Sequence, residues 1–354
     1  MHTFDFETYQ VIVKENLNIN KIYLELSSAC NFECKMCFRH SFSEPLGDMS
    51  DALVDKIKRT MAQLPNLEKV VFGGIGEPLM HPRLPELISF VKKRGIHVTV
   101  STNGYLLGDF IDCFVDNKVD RLVFSYESGD IGHPKEDILW ERIRDLAKKR
   151  DQIESYWPFI CLELVVHKAN VDELTALTPL IKNASIHEVV ISNLMPIDEA
   201  LSELTLYPGE EPKKIAEFRN SLPANILTST ANFELKTERN CNFVDNNAIV
   251  IRWDGEVAPC YRFLHSATEV VEGKKKEIVA VSFGNLRTTS LKKIWNKRES
   301  AWFKYCVANS LYPSCIDCTL HDGCQYIENT LSDCWGSDNS CGDCLWERNI
   351  IVCP

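Results

Sequence analysis

Cysteine placement constrains this chain more than any other feature. The 354 residues include 15 cysteines. Three stand close together at positions 30, 34 and 37. Eight more fall between 306 and 354: Cys306, Cys315, Cys318, Cys324, Cys334, Cys341, Cys344 and Cys353. Such density fits a disulfide scaffold or a metal site. The opening residues, MHTFDFETYQVIVKEN, have no basic stretch followed by an apolar run, so no secretion signal is expected. No segment reaches the ~18 apolar residues needed to cross a bilayer. The expectation is a cytoplasmic protein with no membrane partner. In that reducing compartment metal is favoured over disulfide. The odd total leaves at least one thiol outside any disulfide scheme. A net charge of −11 argues against nucleic acid as a partner.

The chain is 45% hydrophobic and 25% charged, and its length allows a large core without covalent staples. Between residues 21 and 195, short Val-, Ile- and Leu-rich runs alternate with amphipathic segments. Strands are predicted at Lys21–Leu26, Glu68–Phe72, His97–Ser101, Arg121–Ser125, Phe159–Val166 and Glu188–Ser192. Helices are predicted at Asp51–Leu64 with Ser50 as N-cap, and at Leu84–Arg94, Leu107–Asn117, Asp137–Tyr156 and Val171–Asn183. Six successive strand–helix units predict an α/β fold with a parallel sheet, either open or curved into a barrel. Residues 1–20 read as an N-terminal extension. Residues 196–235 are polar, contain PGEEPKK and one helix near Ile215–Ser221, and read as a passage between domains. Residues 236–354 read as a small cysteine-rich domain that metal centres could staple.

Cys30, Cys34 and Cys37 have the spacing C-x3-C-x2-C in a loop after the first predicted strand. Three thiolates can hold three corners of a cubic iron–sulfur cluster and leave its fourth iron open. The alternative is a zinc loop with His40 as fourth ligand. The next strand ends in VFGGIGEPLMHP, where Gly73, Gly74 and Gly76 allow close backbone approach and Glu77 offers a carboxylate. The third ends in Ser101-Thr102-Asn103-Gly104 and the fourth in Ser125-Tyr126-Glu127. Polar groups at the C-terminal ends of consecutive parallel strands are the setting of a barrel-type site.

In this order, these motifs resemble the radical S-adenosylmethionine (SAM) superfamily over roughly residues 20–195. The resemblance implies a partial (β/α)6 barrel followed by the small cysteine-rich C-terminal domain. It also implies a [4Fe–4S] cluster on Cys30, Cys34 and Cys37, with SAM on the fourth iron. Glu77 would bind the SAM amino group, Gly73 and Gly74 would offer backbone contacts, and Ser101, Asn103 and Ser125 would face the ribose. Met36 stands where many relatives carry an aromatic residue beside the adenine, and Glu127 where an Asp is common. The implied chemistry is one-electron cleavage of SAM to methionine and a 5′-deoxyadenosyl radical, which takes a hydrogen atom from a substrate.

Cys241 and Cys260 have the spacing C-x13-G-x4-C around Gly255, and Asp254-Gly255 between apolar runs signals a hairpin. Cys315, Cys318 and Cys324 follow as C-x2-C-x5-C, and the chain ends DCWGSDNSCGDCLWERNIIVCP. Taken alone, the C-x2-C pairs at 315/318 and 341/344 would also fit a zinc ribbon. Cys113, Cys161 and Cys306 read as core thiols. As a whole the region resembles the SPASM extension of radical SAM peptide and protein maturases, which implies one or two auxiliary iron–sulfur clusters. The ligands would come from Cys241, Cys260, Cys315, Cys318, Cys324, Cys334, Cys341, Cys344 and Cys353. One cysteine of that pattern falls at Glu328, which leaves Glu328, Cys334 or a later cysteine to complete a set. Tyr261 is the candidate substrate-facing catalytic residue, with Arg262 beside it. The terminal CWG…C-x2-CLW…CP segment resembles radical SAM maturases of tungsten-cofactor oxidoreductases. The implied partners are a peptide or protein substrate, a tungsten oxidoreductase and an electron donor such as ferredoxin or flavodoxin. Two alternatives stand beside a peptide substrate: a small molecule or pterin-type cofactor, and a non-catalytic assembly factor.

Overall fold

The computed structural model describes residues 1–127, 136–235 and 238–352; Cys353 lies outside them. An N-terminal hairpin pairs β1 (His2–Asp5) with β2 (Gln10–Val13). Phe4 of this hairpin stacks against Trp302, centroids 4.4 Å apart, so the first residues dock on a C-terminal helix, Arg298–Ala308. The six predicted strands all form: β3 (Lys21–Leu24), β4 (Lys69–Phe72), β5 (His97–Thr102), β6 (Arg121–Tyr126), β7 (Phe159–Val166) and β8 (Glu188–Asn193). They lie side by side in chain order, each parallel to the next.

Two further strands extend this sheet. The polar 196–235 segment supplies β9 (Leu227–Thr230), parallel to β8, and a helix, Lys213–Ser221. From the cysteine-rich region comes β10 (Ala248–Ile251), parallel to β3, with β11 (Val257–Ala258) antiparallel beyond it. The result is one nine-stranded sheet, parallel except for β11, whose two edges do not pair with each other. The hairpin around Asp254-Gly255 is therefore an edge of the main sheet. A separate ribbon, β12 (Ala267–Val271) with β13 (Lys274–Ile278), completes the strands.

Helices cover the outer face in the predicted places: Asp51–Met61, Leu84–Lys92, Ile111–Asp116, Glu136–Gln152 and Thr178–Asn183. The third and fifth are entered through 3₁₀ turns, Leu107–Phe110 and Val171–Leu177. Ser50 occupies the N-cap position, where its carbonyl accepts from the Leu53 and Val54 N–H groups, but its hydroxyl makes no cap bond. Alternation sets the two faces of each strand. Ile22, Leu24, Val70, Phe72, Val98, Val100, Leu122 and Phe124 join the helix-side core. Val123, Cys161 and Val190 face the interior, where Val352 packs on them. Cys161 and Cys306 are buried, as expected of core thiols, and Cys113 is half-buried in its helix. None of the described helices is long and apolar enough to cross a membrane.

A buried polar link ties the two halves. Glu25, at the end of β3, is 0% exposed. His265 Nε2 lies 3.0 Å from both its oxygens, and Nδ1 lies 3.0 Å from Glu44. Burial works against a charged ring, but the hydrogen bonds and charge of Glu25, with Glu44 behind them, outweigh it and hold the His265 pKa above 6.5. The contribution of this ion pair is complete below pH 6.5 and declines as pH rises through the raised pKa. His265→Ala leaves Glu25 buried without its partner and is expected to cost about 3–5 kcal/mol. Chemical denaturation of the two proteins at pH 6 would measure the loss.

Candidate active site and metal centres

The first site forms where β3–β8 end. The cysteine loop leaves β3 and is pinned at its two ends: Ser28 N–H donates to Gly47 O at 3.0 Å and Gly47 N–H to Ser28 Oγ at 2.9 Å. Within it Cys37 N–H donates to Cys34 O at 2.9 Å. Arg39 is 7% exposed; its guanidinium donates to Phe32 O at 2.7 Å and pairs with Glu33 at 2.8 Å. A buried cation thus stands among Cys30 and Cys37. The His40 ring nitrogen Nε2 is 3.0 Å from Cys34 O and does not join the thiols. Among the described residues no three His, Cys, Asp or Glu side chains converge on one metal ion.

The glycine loop after β4 packs straight onto this loop. Glu77 N–H donates to Ala29 O at 2.9 Å. A Cβ on Gly76 would lie 2.3 Å from Ser27 O and 2.4 Å from Ala29 O, both backbone atoms, so no side chain fits there. Gly74 has φ +128°, and a Cβ there would meet Glu25 Cγ at 2.8 Å. Glu77 is 2% exposed. Its carboxylate accepts from Thr102 Oγ1 at 2.7 Å, Asn103 N–H at 2.8 Å and Leu79 N–H at 2.9 Å. Burial nevertheless pushes its pKa up to about 7. Asn103 Nδ2 donates to Asn31 Oδ1 at 2.9 Å and reaches Cys30 Sγ at 3.5 Å.

One cavity of about 310 Å³ joins Cys30, Cys34, Met36 and Cys37 to Gly74, Glu77, Ser101, Asn103 and Ser125. Glu127, Glu163, Ser192 and Asn193 line it as well, with Ile351 and Val352 from the C-terminal segment. Two expected residues do not line it. Gly73 lies behind Gly74, where a Cβ would sit 3.4 Å from Ser101 Cβ and from Tyr261 Oη. Tyr261 packs its ring edge-on against Tyr23 and Phe243, centroids 4.8 and 5.7 Å away. Glu163 went unnoticed in the sequence, although a charged residue inside the apolar run FICLELVV is a signal of an inward-facing polar site.

Among the described residues the remaining cysteine candidates divide into two groups. Cys241, Cys260, Cys341 and Cys344 line a second cavity of about 120 Å³, together with Arg262 and Trp346. Cys315, Cys318, Cys324 and Cys334 are electrostatic neighbours of one another, and Cys318 and Cys334 are exposed. Gly342 lets this second group close up: a Cβ there would lie 2.5 Å from Cys315 Sγ. Glu328 is exposed and is held by its carbonyl, which accepts from Glu277 N–H at 2.8 Å. Arg262, 1% exposed, does not face solvent. It pairs with Glu269 and, at 2.8 Å, with Asp343, which also holds Lys276.

These donor sets fit iron–sulfur clusters. Burial raises the Cys30, Cys34 and Cys37 thiols, Cys34 to about 12, and does the same for Cys241, Cys260, Cys341 and Cys344. Thiols so placed ionise against a metal and not on their own. Asn31 Nδ2, beside Cys30, is a buried donor with no partner among the described residues.

Comparison with known proteins agrees with this geometry. Residues 24–155 match the radical SAM superfamily, and residues 241–319 match SPASM, an iron–sulfur cluster-binding domain. The chain is 39% identical over 343 residues to the tungsten-containing aldehyde ferredoxin oxidoreductase cofactor-modifying protein of Pyrococcus furiosus, covering 94% of this chain and 96% of that protein. It is 26% identical over 188 residues to a GTP 3′,8-cyclase of Chlorobaculum tepidum, covering 51% of this chain and 55% of the other. In fold it is similar to Streptococcus suis SuiB bound to S-adenosylmethionine, with a TM-score of 0.60 at 14% identity over 87% of this chain and 72% of that one. It is also similar to anSMEcpe with bound AdoMet, with a TM-score of 0.56 at 17% identity over 85% and 86% of the two chains. The chain belongs to the radical SAM superfamily as an enzyme with a SPASM domain, which implies SAM, a [4Fe–4S] cluster and auxiliary iron–sulfur clusters.

Proposed function

We propose that this enzyme reductively cleaves SAM in the first cavity and serves the maturation of a tungsten-containing oxidoreductase of the aldehyde ferredoxin oxidoreductase type, by modifying a peptide or protein. The observation that carries the reading is the first cavity itself. It puts Cys30, Cys34 and Cys37 in one space with Glu77, Ser101, Asn103 and Ser125, and leaves a second wall for a substrate. Bound there, the cluster and SAM supply one-electron cleavage of the SAM carbon–sulfur bond. Glu77, already oriented by three hydrogen bonds, would accept from the N–H groups of the SAM amino nitrogen. Ser101 and Ser125 face the ribose. The cavity walls hold the target carbon close and keep water away. A second reading, action on a small molecule or the pterin-type cofactor, is favoured by the name of the Pyrococcus furiosus relative, a cofactor-modifying protein. Such a cavity has no use in a non-catalytic assembly factor. An electron donor such as ferredoxin or flavodoxin would supply the electron.

In this reading Cys241, Cys260, Cys341 and Cys344 hold one auxiliary cluster, and Cys315, Cys318, Cys324 and Cys334 the other. About twelve irons per chain are expected after anaerobic reconstitution, four for each [4Fe–4S] cluster. Cys334→Ala and Cys341→Ala would each lose iron from a different cluster, distinguishable by Mössbauer and EPR spectra, while Cys37→Ala would abolish formation of 5′-deoxyadenosine. Deuterium carried from a labelled substrate into 5′-deoxyadenosine would separate the oxidoreductase polypeptide from its cofactor as the target. If no candidate preparation with full iron content cleaves SAM under reduction, the proposal fails.

The Glu77 carboxylate adds a pH dependence. With its pKa near 7, about a tenth of the free protein at pH 6 carries the carboxylate that accepts from the SAM amino group, so Glu77 alone is expected to weaken SAM binding about tenfold at pH 6 relative to pH 8. Glu127 and Glu163 titrate in the same range, so the assignment rests on Glu77→Gln flattening the profile in calorimetric titrations.

A further inference from the structure

The cavity wall at the ends of β6, β7 and β8 carries acceptors that the expected SAM contacts leave unpaired. There Ser125 pairs in register with Glu163 and Val165 with Ser192. Glu127 is 8% exposed, its carboxylate has no hydrogen bond or ion pair among the described residues, and its charged neighbours are Glu163, Cys34 and Cys37. Glu163 also has no such partner there. Its charged neighbours are Glu127, which repels it, and Arg121. The Arg121 guanidinium is already held by Glu188 at 2.9 and 3.0 Å. Asn193 is 2% exposed. Its Nδ2 donates to Asn232 O at 2.8 Å and Ile350 O at 3.1 Å, which fixes the amide, and its Oδ1 has no partner. Ser192 Oγ accepts from Val352 N–H at 3.1 Å.

Three acceptors thus face one cavity without donors, and two of them are carboxylates. Buried acceptors are costly unless something donates to them. In the proposed reading the SAM amino group goes to Glu77, its ribose hydroxyls to Ser101 and Ser125 and its adenine to Met36, and a sulfonium has no N–H to give. We propose that this wall binds a guanidine-type or ammonium group of the substrate, with at least two N–H bonds directed to Glu163 and Glu127 and one position read by Asn193 Oδ1. The assignment rests on the reading that the same cavity holds SAM. Two sources share this chemistry: an arginine or lysine side chain of a polypeptide, and the 2-amino-4-oxopyrimidine edge of a pterin.

The test uses the anaerobic, iron-loaded enzyme saturated with SAM. Agmatine and neopterin are titrated calorimetrically into the wild type, Glu163→Gln and Asn193→Leu. At least one probe is expected to bind saturably. Its affinity is expected to fall about tenfold or more in Glu163→Gln, as for loss of a charge-assisted hydrogen bond, with SAM affinity changed less than about twofold. Binding of neopterin alone assigns the pterin edge; binding of agmatine alone assigns a side chain. The proposal is overturned if neither probe binds, if Glu163→Gln binds it equally well, or if the substitution weakens SAM instead, which would give the wall to the adenosine. Reductive cleavage of SAM by the wild type is measured alongside, so failure of the radical SAM reading shows separately. Glu163→Gln is nearly isosteric, and iron content reports whether it has folded.

Discussion

The contact between the glycine loop and the cysteine loop is the constraint on which the rest of the site depends. At Gly76 two backbone segments approach so closely that a Cβ would lie within 2.4 Å of two carbonyl oxygens. That approach lets Glu77 N–H reach Ala29 O and turns the Glu77 carboxylate back toward Thr102 and Asn103. Asn103 then reaches the cysteine loop through Asn31 and Cys30. The ends of three consecutive strands are thereby locked together, with their thiols and carboxylate in fixed relation. A site made of loops gains its precision from such mutual contacts.

Beneath this arrangement lies the Glu25–His265 pair. Glu25 fills the space that a side chain on Gly74 would need and accepts from Ile75 N–H at 3.4 Å. His265 belongs to the cysteine-rich region and stacks on Phe42 at 4.4 Å. The C-terminal region also donates β10 to the edge of the sheet beside β3. It is thus a structural neighbour of the SAM-side loops, and Ile351 lines both the first and the second cavity. One short segment separates the radical site from the Cys241, Cys260, Cys341 and Cys344 group.

Much of this was legible in the sequence because it is local. Six strands and their helices follow from periodicity, and Cys30, Cys34, Cys37, Glu77, Ser101, Asn103 and Ser125 follow from short motifs at strand ends. What was hidden depends on pairing between distant segments. β9 sits in a stretch that reads as a polar passage, because an edge strand needs little apolar sequence. β10 reads as a separate hairpin, because nothing local says that it will pair with β3. The division of the thiols is likewise a matter of topology. Cys334 joins Cys315, Cys318 and Cys324, while Cys341, only seven residues later, turns to the other group. Tyr261 and Arg262 read as substrate-facing polar neighbours of Cys260, but one is packed among aromatic rings and the other is enclosed by carboxylates.

The buried charges separate the two halves by function. In the C-terminal region Arg262, Lys276, Glu269 and Asp343 are all nearly inaccessible, and they balance one another, two cations against two anions. Such a network asks nothing of a ligand; it packs between the two thiol groups and holds Asp343, between Cys341 and Cys344, in place. In the first cavity the balance is missing. Glu77 has hydrogen bonds but no cation, Glu127 has neither among the described residues, and Glu163 has no hydrogen bond there and shares its nearest cation, Arg121, with Glu188. Burial pushes all three up to about 7, the mark of carboxylates awaiting a positive partner. In the proposed reading the SAM amino group supplies the donors at Glu77. Glu127 follows β6 and Glu163 lies on β7, and on our proposal the donors they lack arrive with the molecule on which the enzyme acts.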